Sequence, residues 1–271
     1  MDISQRRFIP QSIYNLIEIL KYDSNPIMLL GTAGLASQQY YSDFDLFSQI
    51  ENKQSGKVAY KKIMDILHKA EKLNDMYFIE FKIQTKDGDK LKYNMLDEFS
   101  EKEFLQYFKK VDFIKLDFVI RIGNKFIELS IIYSFNKAKL SDDDFIQSVV
   151  DDVEEQKKEG NVFKALKRVF AIYNNKRMKD KLEKTERYIF LSKFFNSEYG
   201  KLYAETANLK AIKLLLEHYD DEETIKRALL NLKDLKLEPN LDKIDTLIKN
   251  NEKKYNKEAE KIFEKLKSIK N

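Results

Sequence analysis

The chain contains no cysteine, which excludes disulfides and thiolate metal sites and fits an intracellular protein. Histidine is nearly absent too. His68 and His218 are the only two; His68 lies among Lys and Glu, the setting of a surface or half-buried side chain rather than of a metal ligand, and His218 is read the same way. Seven glycines and three prolines in 271 residues leave little material for loops, so long regular elements are expected. No apolar run approaches the ~18 residues that a membrane span needs. The first twenty residues, MDISQRRFIPQSIYNLIEIL, lack the compact apolar core and small-residue cleavage site of a secretory signal. No RNP-type aromatic motif or zinc knuckle is recognisable, so a dedicated RNA-binding module is not expected.

What remains suits a globular protein able to bury a sizeable core. Charged residues make up 35% of the chain and apolar residues 43%. The net charge of +4 is too small to argue for nucleic acid, but the distribution is uneven. Asp142 to Glu155 holds seven acidic residues and no basic one, whereas Lys157 to Arg187 holds eleven basic against four acidic. The second segment is a candidate phosphate-binding surface. Solvated lysine faces on a helical pair would give the same pattern.

Periodicity predicts the elements. Ile13, Leu16, Ile17 and Leu20 recur at helical spacing, as do Val58, Ile63, Ile66, Leu67 and Ala70. A helix over 98–109 would turn Phe99, Phe104, Leu105 and Phe108 inward. Short strands are expected at 27–30 and 43–47, with a short helix from Gly31 to about Gln38 between them. Residues 76–85 alternate and return through a turn to 90–94. Gly123-Asn124 joins strands 113–122 and 125–134. In the first of these Ile114, Leu116, Phe118 and Ile120 share one face; Phe113, Lys115, Asp117, Val119 and Arg121 share the other. From Ser141 on the pattern is helical, with breaks at Gly160-Asn161 and Pro239-Asn240. The last helix carries Ile248, Tyr255, Ala259, Ile262, Leu266 and Ile269 near a 3-4 repeat, which could pack on its own bundle or form a homodimer or a contact with a partner subunit. The fold class is therefore α/β (α+β): a mixed sheet flanked by helices over 1–140, then a C-terminal helical domain over 141–271.

One stretch concentrates the chemistry. Leu30 to Phe47 reads LGTAGLASQQYYSDFDLF: a small-residue turn at Gly31-Thr32, a spacer, then Asp43 and Asp45 around Phe44. Aspartates at i and i+2 lie on one face of a strand, are costly among apolar neighbours, and suit a hard divalent cation. A turn followed by an edge strand with two solvated aspartates is the plainer alternative. With Gly31, Thr32, Ser42-Asp43, Phe44, Asp45 and Leu46 in this order, the stretch resembles the polymerase-beta-type nucleotidyltransferase superfamily; Thr32 departs from the usual Ser or Gly but keeps a hydroxyl. The superfamily has a third carboxylate in the local form apolar-Asp-apolar, which Leu116-Asp117-Phe118 matches. Glu80 and Glu128 are the competitors, and spacing does not decide among the three. An ion pair with Lys115 or Arg121 would also account for Asp117. The segment from the strand IELSIIY through EGNVFKALKRVFAIY looks like the viral poly(A)-polymerase-like members.

The resemblance implies metal-dependent transfer of an NMP, AMP above all, from an NTP such as ATP to the 3′ end of a single-stranded RNA. By it, Asp43, Asp45 and Asp117 are the catalytic residues and ligands of Mg²⁺ (or Mn²⁺), and Gly31, Thr32, Ser42, Lys164 and Lys167 bind nucleotide. Transfer to a protein or small-molecule hydroxyl, and a non-catalytic partner subunit on the same fold, are the alternatives. No membrane association is implied; the expected location is the cytoplasm, that of a virus-infected cell included, or a virion.

Overall fold

The structure, a computed structural model, describes residues 11–23, 27–30, 40, 42–50, 55–73, 75–88, 90–93, 100–135, 142–180 and 185–269. These residues divide into two compact units, one drawn from 1–30, 43–138 and 211–237, the other from 31–42, 139–210 and 238–271.

The first unit is built on a six-stranded sheet: β1 (Ile27–Leu30), β2 (Asp43–Gln49), β3 (Met76–Thr85), β4 (Lys90–Tyr93), β5 (Val111–Ile122) and β6 (Lys125–Ser134), in the order β1-β2-β6-β5-β3-β4. All neighbours run antiparallel except β2 and β6, which are parallel. One face is largely apolar. Phe44, Leu46, Phe81, Ile83, Ile114, Leu116, Leu129 and Ile131 are all fully buried. Helices α1 (Gln11–Ile19), α2 (Gly56–Glu71) and α3 (Glu101–Tyr107) accompany the sheet. Ile63, Ile66, Leu67 and Ala70 of α2 are buried, as expected, but Val58 is exposed, and so is Leu105 of α3. Phe99 lies outside the described residues. Tyr133 donates to the Leu20 carbonyl at 2.6 Å, tying the end of α1 to β6. The β5–β6 loop is two residues long, and Gly123 takes φ +63°, the left-handed conformation that primed hairpin turns demand.

Helix α8 (Glu222–Asp234) also belongs to this unit, with the end of α7 (Glu198–His218) and the segment between them. Tyr219 donates to the Phe78 carbonyl, and Arg227 reaches Tyr77 and Asp75.

The second unit is helical: α4 (Asp142–Lys158), α5 (Val162–Asp180), α6 (Glu186–Phe195), α7 as far as Lys210, and α9 (Leu241–Ser268). Gly160 ends α4 at φ +79°, with Asn161 N–H returning to the Gln156 carbonyl, the left-handed glycine cap. The core is an aromatic cluster around Phe163, whose ring lies 4.4 Å from Tyr203 in a stacked pair and within 5.6 Å of Phe194, Phe195 and Tyr255. On α9, Tyr255, Ala259, Ile262 and Leu266 are buried in this cluster, Ile269 just past its end packs against it, and Ile248 is buried as well, so the repeat read in the sequence packs within the chain.

Candidate active site

The polar face of the sheet carries the acids. Asp43 and Asp45 lie on β2, half-buried, between the buried Phe44 and Leu46. Strand register then sets their neighbours. Asp45 is the Cα partner of Ser130, Ser130 of Asp117, and Asp117 of Glu80. Directly paired residues share a face, so Asp45, Ser130, Asp117 and Glu80 form one row across four strands. Asp43 is paired with Glu128 in the next row. All the carboxylates weighed from the sequence therefore sit on a single face.

Their settings differ. Glu128 is one strand from Asp43, whereas Asp117 is two strands from Asp45, about 10 Å between Cα atoms at ordinary strand spacing. Asp117 accepts from Ser130 Oγ and pairs with Lys115 Nζ at 2.8 Å and Lys82 Nζ at 3.4 Å. Arg121 pairs instead with Asp75, at 2.8 Å. Glu80 lies at the far end of the row between Lys82 and Lys92. Burial pushes the Glu80 carboxyl up, but hydrogen bonds and charge from the two lysines outweigh it and hold its pKa at about 2. Burial likewise opposes the charge on Lys82, and Glu80 with Asp117 reverses that and raises its pKa.

A β-bulge explains how Glu80 reaches this face. The register shifts between Phe78 and Glu80. Phe78 is paired with the core residue Phe118, while Glu80, two residues on, is paired with Asp117. Strict alternation would have put both on one side; the extra residue of a bulge re-aims the strand.

The nucleotide-binding residues expected from the sequence fare unevenly. Gly31 and Thr32 lie outside the described residues. In the helical unit Ser42 is buried and accepts from Lys167 Nζ at 3.0 Å. The Lys167 ammonium also donates to Tyr203 Oη at 3.4 Å and stands 4.6 Å from the centre of its ring, a cation–π contact. Lys164 is exposed on α5. Tyr203 gave no signal in the sequence. His68 and His218 are exposed, as anticipated, contacting Glu71 and the Leu214 carbonyl.

No group of three Asp, Glu or His side chains converges on a metal position among the described residues. The donor chemistry of Asp43 and Asp45 still suits Mg²⁺, which is held through one or two carboxylates plus substrate phosphates and keeps several waters.

The same architecture is found in solved structures. A nucleotidyl transferase encoded by a Megaviridae ORFan gene superposes with a TM-score of 0.63 at 8% identity, over 100% of this chain and 93% of its own. The chain has the fold of that nucleotidyl transferase. That fold is shared with the Mg662 protein of M. chilensis, solved in complex with GTP, at a TM-score of 0.65 and 10% identity over 99% of this chain and 95% of that one. A further Megaviridae nucleotidyl transferase structure gives 0.60 at 12% identity, covering 98% and 94%. No protein-family model and no curated protein matches the sequence. The shared fold is thus carried here by an arrangement of elements that sequence similarity does not detect.

Proposed function

We propose that the protein is a nucleotidyltransferase that adds an NMP, AMP first among the candidates, from an NTP to the 3′ end of RNA. The observation that carries the reading is the acid pair Asp43 and Asp45 on the polar face of a nucleotidyltransferase-fold sheet, with Asp45 in one row with Asp117 and Asp43 in the next. Asp43 and Asp45 would hold Mg²⁺ or Mn²⁺ together with the triphosphate, and Asp117 would face the attacking hydroxyl. The bound cation supplies charge neutralisation and acidifies a coordinated hydroxyl. The chain's own groups orient the reactants. Gly31, Thr32, Ser42, Lys164 and Lys167 are assigned to the phosphates, Lys167 being the one whose ammonium is already held in place, by Ser42 and Tyr203. Like charges gathered on a face are costly, and a scaffold without chemistry gains nothing from them. The complex of the M. chilensis protein with GTP supports nucleotide binding and makes guanine the second base to test. The Megaviridae sources of the similar structures favour a viral protein acting in the cytoplasm of an infected cell or carried in the virion.

The experiment is incubation of the protein with Mg²⁺ or Mn²⁺, each labelled NTP in turn, and a short single-stranded RNA, beside an Asp43→Ala/Asp45→Ala variant. RNA extension that vanishes in the variant is expected. Labelling of protein or release of labelled small product, without extension, moves the acceptor to another hydroxyl. No turnover by a folded protein that binds no nucleotide overturns the enzyme reading.

A further inference from the structure

The sheet's polar face carries a second row that the acid chemistry does not use. Two residues along from Asp117 and Glu80, Lys115 is the Cα partner of Lys82, and Lys82 of Lys92. Three lysines thus stand directly opposite one another on β5, β3 and β4. Like charges at directly paired positions destabilise a sheet, and the two carboxylates of the neighbouring row, Asp117 and Glu80, offset two of the three charges. The next row adds Phe113, Gln84 and Lys90, again in direct register. Lys90 is exposed, and Phe113 is half-buried. A basic track beside an aromatic ring is the chemistry that binds single-stranded nucleic acid, phosphates on the cations and a base on the ring. An acidic polypeptide would use the cations but not the ring.

We propose that the rows Lys115-Lys82-Lys92 and Phe113-Gln84-Lys90 form the binding strip for the single-stranded RNA acceptor, leading from the β4 edge of the sheet to Asp117. The assignment rests on the RNA-extension reading above and gives it the acceptor site that no sequence motif supplies. The strip lies on the β4 side of Asp117, and the acid pair assigned to the nucleotide lies on the other side, so the two substrates approach the row from opposite ends. Lys115 and Lys82 of this row also hold the Asp117 carboxylate in place through their ion pairs.

The test is binding of a fluorescent single-stranded RNA across a salt series, with binding of labelled ATP and GTP measured on the same samples. Lys90→Gln/Lys92→Gln leaves Lys82 to pair with Glu80; Lys90→Glu, at an exposed position, serves as the second variant. Thermal melts check that both fold. Removing one cation that neutralises a phosphate reduces the slope of log K against log salt by about 0.7 for a single strand. The double variant is therefore expected to bind RNA several-fold more weakly with a slope smaller by about 1.4, while nucleotide affinity stays unchanged. RNA binding and slope equal to wild type in both variants overturn the strip. Wild-type protein that binds nucleotide but no RNA overturns the strip and leaves the nucleotide reading standing; failure to bind either overturns both. Displacement of the RNA by a polyglutamate peptide as readily as by unlabelled RNA reassigns the strip to an acidic polypeptide.

Discussion

Glu80 stands between two ammonium groups, and this fixes its response to acid. Its pKa lies at about 2, below the ordinary 4.5, so the stability from its ion pairs is fully present above pH ~4.5 and is lost as pH falls toward 2. Glu80→Gln is expected to lower the urea midpoint at neutral pH and to flatten its decline between those limits; a wild-type acid limb in the variant would place the lost stability elsewhere. For chemistry, the distinction lies between Asp117 and Glu128. Asp117→Asn is expected to lower kcat on the order of 10²-fold or more, the scale of a missing proton acceptor, with nucleotide binding kept. Glu128→Gln, one strand from Asp43, is the control; the larger loss there would exchange their roles. The aspartate pair was legible because each acid sits beside apolar residues in a short stretch. The row was not. Asp45, Ser130, Asp117 and Glu80 are distant in sequence, and only register aligns them, with a bulge that no alternation pattern discloses.

At the scale of elements, the aromatic cluster of the helical unit depends on close backbone approach. A Cβ built at Gly200, near the start of α7, would lie 1.9 Å from the Phe195 carbonyl oxygen at the end of α6. Backbone cannot give way as a flexible side chain does. Gly200→Ala is expected to cost about 1–3 kcal/mol or more, read as a fall in Tm. Tyr255 bears on the same cluster from α9. Tyr255→Ala, which removes a buried ring, is expected to cost about 3–5 kcal/mol, measured by denaturant titration. The existence of these helices was plain from their apolar stripes. Their ends were less so: α6 ends at Phe195 and α7 begins at Glu198, and the break between them, Asn196-Ser197, holds neither proline nor glycine to mark it. The exposed Val58 and Leu105 fit the helical period and still face away from the core, since a period locates a stripe but not its edges.

For the molecule as a whole, the apolar stripe of α9 is buried within the chain. A dimer through that stripe would have to unpack the helical core first, so sedimentation is expected to give the monomer mass of 32.2 kDa at micromolar concentration. A dimer would have to use another surface. Charge balance at this scale conceals the local rows: +4 in sum says nothing of three lysines opposed across the sheet. Fold class was legible because strands and helices announce themselves by period 2 and period 3.6; strand order was not, because it is set by pairings between distant segments.

The central place of β6 bears on how the protein comes to be folded. It lies between β2 and β5, and everything from Ile50 to Asn124 separates it from its parallel neighbour in the chain. Without it the sheet falls into two parts, β1–β2 with Asp43 and Asp45, and β5–β3–β4 with Asp117, Glu80 and the lysines. Pairing at such separation is slow because the loop must close before any native pairing rewards it. During synthesis both parts emerge before β6 does, and a chain cut short ahead of Lys125 would carry both paired aspartates yet never bring Asp45 into one row with Asp117.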